Sequence, residues 1–405
     1  MIFFPTPYPD ELLYSILARY CKRSGNINNI HNIEDLFGTR NGIVSVEMPS
    51  KLDALIENMP VNTKYTADYF IYNHTLFPFY AAFIPPKRAK NIINEMKSGD
   101  GSVSYMQSGV VASSVSLNRY FMFCPKCIKE DRQDFGEPYW HRTHQIAGIF
   151  ICLKHKESLL NSTVTLRGVN RQEIVAPNME NCRVDRERIY KDELIEKMLW
   201  TAEDVETLLG NRYPFKEPEW FKSQFRIKLI EKEYARMNNF VYQKRLKEDF
   251  QGFYGEEYLE LVQSSVSFNK RCWLTDLIRD DNRNTYALRY LLLARFLGMS
   301  IDDLFNKQYK ITKGDNGEFV SSIDAYQRLW DEKVKELANE GLAINVIAKE
   351  LQATPRTIRR ALKRMGIPEF KGCNKKSNHR YRQNKNSKSF KEKRDKVRTE
   401  WLYLH

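Results

Sequence analysis

The chain has 405 residues and a formal net charge of +13, a length that allows two or three domains. Its 42% of hydrophobic and 13% of aromatic residues exclude a disordered protein, and its seven scattered cysteines exclude a dense secreted disulfide framework. No stretch reaches the roughly 18 uncharged apolar residues of a membrane span, so we expect a cytoplasmic protein with no membrane partner.

The first predicted element is an amphipathic helix that follows the proline-rich residues 3–10. Asp10 is its expected N-cap, and Gly25 is expected to end it. The predicted buried stripe of this helix consists of Leu12, Leu13, Ile16, Leu17 and Tyr20. A second helical region is predicted through 65–72, and one or two short strands are predicted between 99 and 123.

Two short motifs predict a metal site. Cys124 and Cys127 form a CxxC knuckle, and Cys152 and His155 form a CxxH knuckle after 24 intervening residues. Thiolates and imidazole suit zinc, and the short spacing lets both ligands of a knuckle reach one tetrahedral ion. Four protein ligands leave no position for water, so we expect structural zinc. The alternative is a set of ordinary buried cysteines with a surface histidine.

Residues 161–312 are predicted to form a helical domain that connects other modules or binds DNA. Helices are expected at 192–209, 219–262, 272–279 and 286–297. Ser300 is predicted to cap the helix that follows.

Residues 323–370 are predicted to form a helix-turn-helix unit. Apolar residues recur at helical spacing in three segments, and Gly341 follows the first segment. Thr354 is the expected N-cap of the third helix, and Pro355 is its expected first residue, where a missing N–H is harmless. A three-helix packing unit without a ligand would show the same periodicity and is the alternative.

The third helix and the following tail carry the predicted DNA contacts. In this motif the third helix enters the major groove and its N-terminal side chains meet base edges. The predicted base contacts are Arg356, Thr357 and Arg360, the predicted phosphate contacts are Arg359, Lys363 and Arg364, and the further predicted DNA-binding residues are Lys375, Lys376, Arg380 and Arg382. No RNA-binding motif is evident, so double-stranded DNA is favoured.

The excess positive charge of the chain lies in the same region. Residues 343–370 hold six Lys or Arg against two acids, and residues 371–398 hold twelve against two, which gives +4 and +10. These segments sum to +14 and Glu400 reduces the sum to +13, so residues 1–342 are neutral. A polyanion would dock on this basic region, whereas a solvated tail without a ligand is the alternative.

Five segments carry a resemblance to a known family. They are PTPYPDELLYS at 5–15, YNHTLFPFY at 72–80, CPKC at 124–127, GEPYW at 136–140 and CLKH at 152–155. These segments are similar to the TniQ domain, and the chain most resembles the TnsD type, the target selectors of Tn7-like transposons. The resemblance is dense over residues 1–160 and weaker at 272–305 and from Trp330 onward.

The resemblance implies a protein that is not an enzyme. Such proteins recognise a chromosomal attachment site in double-stranded DNA and recruit an AAA+ ATPase of the TnsC type. It also implies zinc at the two knuckles, and His144, which fits the family pattern between them, is interpreted as a core residue. Residues 1–160 are then the expected recruitment domain, and 371–405 a basic tail that begins a further module of a longer chain. We expect a monomer on DNA.

The predicted architecture is therefore mainly α and multi-domain, with helical modules around a small zinc-stapled α+β domain and a C-terminal helix-turn-helix. A zinc-containing transcriptional regulator with a helix-turn-helix is the alternative function. An enzyme is disfavoured because the metal ligands are saturated and no HExxH, GxSxG or P-loop motif occurs, so no catalytic residue is predicted. Glu130 and Asp131, which follow the first knuckle, are interpreted as exposed charges.

Overall fold

A computed structural model gives the fold of the chain. It describes residues 1–26, 28–40, 44–99, 115–166, 173–184, 188–236, 240–278, 285–309, 311–312, 319–320, 323–351 and 353–367, with the backbone alone at 311–312, 319–320 and 323–329. The described residues are mainly α-helical, as predicted. The chain divides into two compact units, one of Met1–Lys222 and Leu246–Lys307, the other of Ser223–Arg245 and Gln308–His405.

The first unit begins with short helices that precede the first strand. They are α1 (Leu13–Ser24), α2 (Asn29–Phe37), α3 (Leu52–Glu57), α4 (Ala67–His74), α5 (Phe77–Ala81) and α6 (Pro86–Ser98). The whole predicted apolar stripe of α1 is buried. Gly25 follows α1 with φ of +75°, so the glycine ends this helix in the left-handed conformation, as predicted.

The prediction that Asp10 caps α1 is wrong. Leu12 occupies the N-cap position, and no side chain caps this helix. The Asp10 carboxylate instead accepts hydrogen bonds from the backbone N–H and the hydroxyl of Thr143, at 3.0 and 2.6 Å. Tertiary partners distant in sequence therefore replace the local capping bond.

A small antiparallel sheet and one helix frame the two knuckles. Strand β1 (Tyr120–Phe123) pairs with β2 (Leu160–Thr165), with Phe123 opposite Leu160. Helix α7 (Pro125–Phe135) starts directly after β1. The 120–123 strand confirms one of the strands predicted between 99 and 123, whereas residues 100–114 of that prediction lie outside the described residues.

Further helices follow β2 along the chain. They are α8 (Asp192–Gly210), α9 (Pro218–Glu231), α10 (Gln243–Tyr254), α11 (Glu256–Leu261), α12 (Trp273–Ile278), α13 (Ala287–Phe296) and α14 (Ile301–Asn306). The predicted helices at 192–209, 272–279 and 286–297 are confirmed. Ser300 caps α14 as predicted, because its hydroxyl accepts a 3.0 Å hydrogen bond from the Asp303 N–H.

The prediction that residues 219–262 are helical is confirmed at 218–231, 243–254 and 256–261 and is wrong between the first two of these helices. Residues 234–236 and 240–242 pair in antiparallel fashion, with a bridge between Ala235 and Val241. The backbone N–H of Tyr242 donates to the Tyr234 carbonyl at 2.9 Å. A charged and aromatic composition is compatible with a helix or with strands. The hydrogen bonds between these two segments favour strand pairing.

Helices α8 and α13 pack directly on the N-terminal segment of the first unit. The guanidinium of Arg142 is buried and donates to the Tyr72 carbonyl at 2.8 Å and to the Leu209 carbonyl at 3.2 Å. The ring of Phe83 stacks on Tyr290 with centroids 4.2 Å apart. These contacts join residues of α4, α8 and α13 in one core.

The second unit contains a small sheet and three packed helices. Strand β3 (Ile311–Thr312) pairs with β4 (Phe319–Val320), and the helices are α15 (Ile323–Asn339), α16 (Ile344–Glu350) and α17 (Pro355–Arg364). The helices share a buried core of Trp330, Val334, Leu337, Ile347, Ala348, Ile358, Ala361 and Leu362. Thr354 caps α17 as predicted, because its hydroxyl accepts a hydrogen bond from the Thr357 N–H at 3.2 Å.

Among the described residues, no helix combines the length and apolar character that crossing a bilayer requires.

Candidate functional site

The fold brings the four residues of the two knuckles to one point. Cys124 immediately precedes α7 and Cys127 lies in its first turn, while Cys152 and His155 lie in a turn before β2. The three cysteines are buried, and 9% of the His155 side chain is exposed. One sulfur from each cysteine and one nitrogen of His155 all lie within 4.8 Å of one another.

The distances between these atoms fit tetrahedral coordination. The Nδ1 atom of His155 lies 3.3 to 3.6 Å from the three sulfurs, and the sulfurs of Cys127 and Cys152 are 3.7 Å apart. Metal–sulfur bonds of about 2.3 Å and a metal–nitrogen bond of about 2.0 Å would place ligand atoms about 3.5 Å (S to N) and about 3.8 Å (S to S) apart. The Cys3His set can therefore hold a metal ion.

The three thiols are electrostatically coupled. Hydrogen bonds with Cys127 and Cys152 favour the Cys124 thiolate and hold its pKa well below the usual range. The same interaction with Cys124 raises the pKa of Cys127 and raises that of Cys152 to about 12. The protein alone thus favours one thiolate shared among three sulfurs, whereas a divalent cation favours deprotonation of all three.

Glu130 lies beside the histidine ligand, on the side away from the sulfurs. Its Oε1 atom lies 2.8 Å from Nε2 of His155, the ring nitrogen that faces away from the sulfurs. Hydrogen bonds with Lys154 and His155 lower the pKa of Glu130 and keep the carboxylate charged. A carboxylate at this position selects the tautomer that leaves Nδ1 free to bind a metal.

The interpretation of Asp131 as an exposed charge is wrong, whereas Glu130 is partly exposed. Asp131 is buried and pairs with Nε2 of His141 at 2.9 Å. Glu130 contacts a candidate ligand, although 39% of its side chain is exposed. Helical spacing carried a signal for Glu130, because it follows Cys127 by three residues, which is about one turn.

His144 is buried, as predicted, with its ring centroid 4.8 Å from that of His141. Burial and the neighbouring His141 lower the pKa of His144 to about 3, so this imidazole is neutral at physiological pH. Ligand atoms of Cys127, His141 and His144 also lie within 4.8 Å of one another. This second group shares Cys127 with the Cys3His set.

The second candidate site is the solvent face of α17. Arg356, Arg360 and Lys363 are exposed at intervals of four and three residues, so they form one stripe along the helix. Within the described part of the chain, no carboxylate pairs with these three residues. Arg359 is exposed as well, while Thr357 is half-buried and its hydroxyl lies 2.9 Å from that of Thr354.

Arg364 differs from the other cations of α17. Its guanidinium is bound by both carboxylate oxygens of Asp331 in α15, with Nε 2.9 Å from Oδ2. The hydrogen bonds with Asp331 raise the pKa of Arg364. The structure thus uses Arg364 to hold α17 on α15. The predicted contacts Lys375, Lys376, Arg380 and Arg382 lie outside the described residues.

Comparison with known proteins identifies the family. The family model named TniQ matches residues 2–159, and the model described as Tn7-like transposition protein D matches residues 201–319. The chain belongs to the TniQ/TnsD-type family. The family prediction is therefore confirmed. Both knuckles lie within the TniQ match, whereas α15, α16 and α17 lie beyond both matches.

One curated relative is the transposon Tn7 transposition protein TnsD of Escherichia coli. It is 30% identical to this chain over 152 residues. The matched part is 38% of this chain and spans 30% of the length of that relative.

Proposed function

We propose that the chain is a DNA-binding target selector of a Tn7-like transposition system. In this role it recognises an attachment site in double-stranded DNA and recruits an AAA+ ATPase of the TnsC type. It acts by binding and carries no catalytic centre. The two family matches support this role, since together they cover residues 2–159 and 201–319 with sequence patterns named after transposition proteins.

The cationic stripe of α17 is the observation that carries the DNA-binding part of the proposal. The three helices act as a helix-turn-helix, with α17 as the helix that enters the major groove. Arg356 near its N-terminus and Arg360 one turn later read base edges, and Lys363 binds a phosphate. Residues 371–398, with a charge of +10, add counterion release behind this helix.

Zinc in the Cys3His set supports the fold of the N-terminal part. The ligand distances match a four-coordinate zinc ion, and a set of four protein ligands is typical of structural sites. Bound zinc would supply a cross-link between the start of α7 and the turn before β2. Cys124, Cys127, Cys152 and His155 would hold it, and Glu130 would orient His155.

Recruitment of the ATPase is assigned to the TniQ-matched segment. Residues 1–342 carry no net charge, so their surface has no general attraction for DNA. A neutral surface is free to contact a protein, while the basic region beyond residue 343 holds the duplex. The chain then joins the two partners as a monomer.

A selection with random genomic fragments tests the proposal. The full chain is bound to fragments at two salt concentrations, because phosphate-driven binding falls steeply with salt and base recognition persists. We expect one fragment class to be enriched more strongly at the higher salt. The same protein on this fragment should retain an AAA+ ATPase from the same transposon. No enrichment at either salt concentration would refute the proposed function.

A further inference from the structure

His144 is a buried polar side chain without a hydrogen bond. Only 4% of its surface is exposed, and its ring centroid lies 4.8 Å from that of His141. Within the residues that the structure describes, no hydrogen bond reaches either nitrogen of the His144 ring. A buried nitrogen that has left water without gaining a partner destabilises the folded chain. The side chain is therefore a candidate ligand for a bound group.

His141 has one ring nitrogen engaged and one available. Its Nε2 atom lies 2.9 Å from Oδ2 of Asp131, and no hydrogen bond reaches its Nδ1 atom in the described part of the chain. A carboxylate on one ring nitrogen typically accompanies a histidine that binds a metal through the other, because it fixes the tautomer and the orientation of the ring. Asp131 stands to His141 as Glu130 stands to His155. The structure thus provides two histidines of this kind.

The sulfur of Cys127 completes a second group of donor atoms. One donor atom from each of Cys127, His141 and His144 lies within 4.8 Å of the other two. With metal–nitrogen bonds of about 2.0 Å at a tetrahedral angle, the ring centres of two imidazole ligands lie about 5 Å apart, close to the 4.8 Å between these two rings. A thiolate sulfur carries several lone pairs, so Cys127 can bind one ion with the Cys3His set and a second ion with the two histidines.

We propose that Cys127, His141 and His144 bind a second zinc ion, which shares the Cys127 sulfur with the ion of the Cys3His set. Thiolate and imidazole are donors that zinc prefers, and Asp131 holds His141 in a fixed orientation for binding. Three protein ligands hold an ion less tightly than four, so this second ion is the one that a chelator removes first.

The charges around the site favour a second cation. Three carboxylates in this region already have cationic partners: Glu130 pairs with Lys154, Glu157 with Lys126 and Asp10 with Arg142. The buried Asp131 carboxylate pairs with the imidazole of His141 instead. An ion in the Cys3His set leaves one thiolate charge in excess, since three thiolates outnumber its two positive charges. A second divalent ion beside Cys127 compensates both negative charges where water is largely excluded.

The second ion connects parts of the chain that the first ion does not. The Cys3His set joins the start of α7 to the turn before β2, whereas His141 and His144 lie on either side of Thr143, which binds the Asp10 carboxylate ahead of α1. A zinc pair therefore ties the segment that holds Asp10 to α7. The inference goes beyond the proposed function, because it concerns the metal content of the chain and needs neither DNA nor the ATPase.

The first experiment counts zinc in the full chain. The purified protein is dialysed to equilibrium against a low concentration of zinc, and the bound metal is measured by inductively coupled plasma mass spectrometry. We expect two ions per chain, and one ion in His144→Leu. His31→Leu, which changes an exposed histidine of α2, is the matched control and should keep both ions. One ion in the unaltered chain, or two ions in a His144→Leu variant that circular dichroism shows to be folded, would overturn the inference.

Cobalt(II) tests for a shared sulfur without any substitution. It takes the same ligands as zinc and is paramagnetic, so electron paramagnetic resonance reports whether two ions are neighbours. The zinc of the full chain is exchanged for cobalt, to one and then to two ions per chain. The second ion should reduce the signal per cobalt, because a bridging sulfur couples the two spins. A signal that grows in proportion to the cobalt bound would mean an adventitious ion only and would overturn the inference.

Asp131→Asn distinguishes the two sites. In a titration with a chelator of known affinity, the unaltered chain should lose its zinc in two steps, the weaker of which belongs to the second site. The variant should weaken this step about tenfold and leave the tighter step unchanged, because a neutral amide lacks the charge that favours a metal-bound imidazole. A shift of the tighter step alone would assign Asp131 to the first ion and overturn the inference.

The results for metal and for DNA are independent of one another. If the chain holds a single zinc ion while one fragment class is enriched in the DNA selection, the second site is overturned and the proposed function stands. If the chain holds a coupled pair of ions while no fragment is enriched, the second site is supported and the proposed function fails.

Discussion

Replacing Glu130 by alanine should weaken metal binding without removing a ligand. The carboxylate lies 2.8 Å from Nε2 of His155, so its loss frees the imidazole to rotate and to place its proton on Nδ1. Both changes work against coordination through Nδ1. Zinc affinity, measured for the full chain by competition with a chelator of known affinity at pH 7, should fall.

The expected size of this effect follows from the geometry. Loss of a carboxylate behind a histidine ligand typically lowers metal affinity 10-fold to 100-fold. Glu130 is 39% exposed and also pairs with Lys154, so water and that lysine screen its charge. The loss should therefore be about tenfold, at the lower end of this range. Glu130→Gln should lose less, because an amide oxygen beside Nε2 still favours a proton on that nitrogen.

Glu157 is the matched control for this experiment. Its carboxylate pairs with Lys126 at 2.6 Å, close to the same ligands, but only its backbone carbonyl contacts Cys152. Glu157→Ala removes a similar charge without touching a ligand side chain and should leave the affinity unchanged. Equal affinities of Glu130→Ala and the unaltered chain, or equal losses in both alanine variants, would refute the role given to Glu130.

Three further predictions concern the metal, the basic helix and the core. Cys124→Ser should unfold the N-terminal part, because metal-binding energy contributes to folding. If a chelator left the melting curve of the unaltered chain unchanged, the structural role of the metal would be contradicted. Arg360→Ala should reduce the free energy of DNA binding by about 1 to 3 kcal/mol and relax base preference in a competition assay, whereas Lys363→Ala should weaken binding to all DNA sequences alike. The same preference profile in both variants would contradict the assignment of α17 as the helix that reads bases. Arg19→Met should lower the free energy of unfolding by about 3 to 5 kcal/mol because it leaves the buried Glu11 carboxylate, 2.7 Å away, without its partner. Burial already raises the pKa of Glu11, so in this variant the folded state holds a proton that the unfolded chain releases above pH 4.5. Urea unfolding should therefore show a loss of unfolding free energy that grows as the pH rises from 4.5. A loss of stability that does not depend on pH would contradict this account.

Features that depend on neighbouring residues or on motif spacing were predictable from the sequence. The spacing of Cys124, Cys127, Cys152 and His155 indicated a metal site, and the structure brings their ligand atoms together. Thr354 and Pro355 set the start of α17 through local chemistry, and the apolar stripe of α1 followed from helical periodicity. Each of these signals depends on residues within a few turns or on a motif whose ligands must converge.

Features that depend on distant partners were not predictable in this way. Asp10 has the residue type of an N-cap, yet Thr143 offers it two hydrogen bonds across 133 residues. The antiparallel pairing of 234–236 with 240–242 is anchored by hydrogen bonds to the Leu229 carbonyl, and the sequence there shows no strand-like alternation. Arg364 carries the same charge as its neighbours in α17, and only the position of Asp331 gives it a different role.

The buried guanidinium of Arg142 has a consequence for how the chain can be divided. Two of its acceptors are carbonyls of Tyr72 and Leu209, which are separated by more than a hundred residues of sequence. A fragment that stops at residue 160 would lose the Leu209 acceptor and would also expose to water the apolar side chains of α4 and α5 that α8 covers. Isolated TniQ-matched fragments should therefore aggregate, and soluble pieces for partner mapping should extend past residue 210.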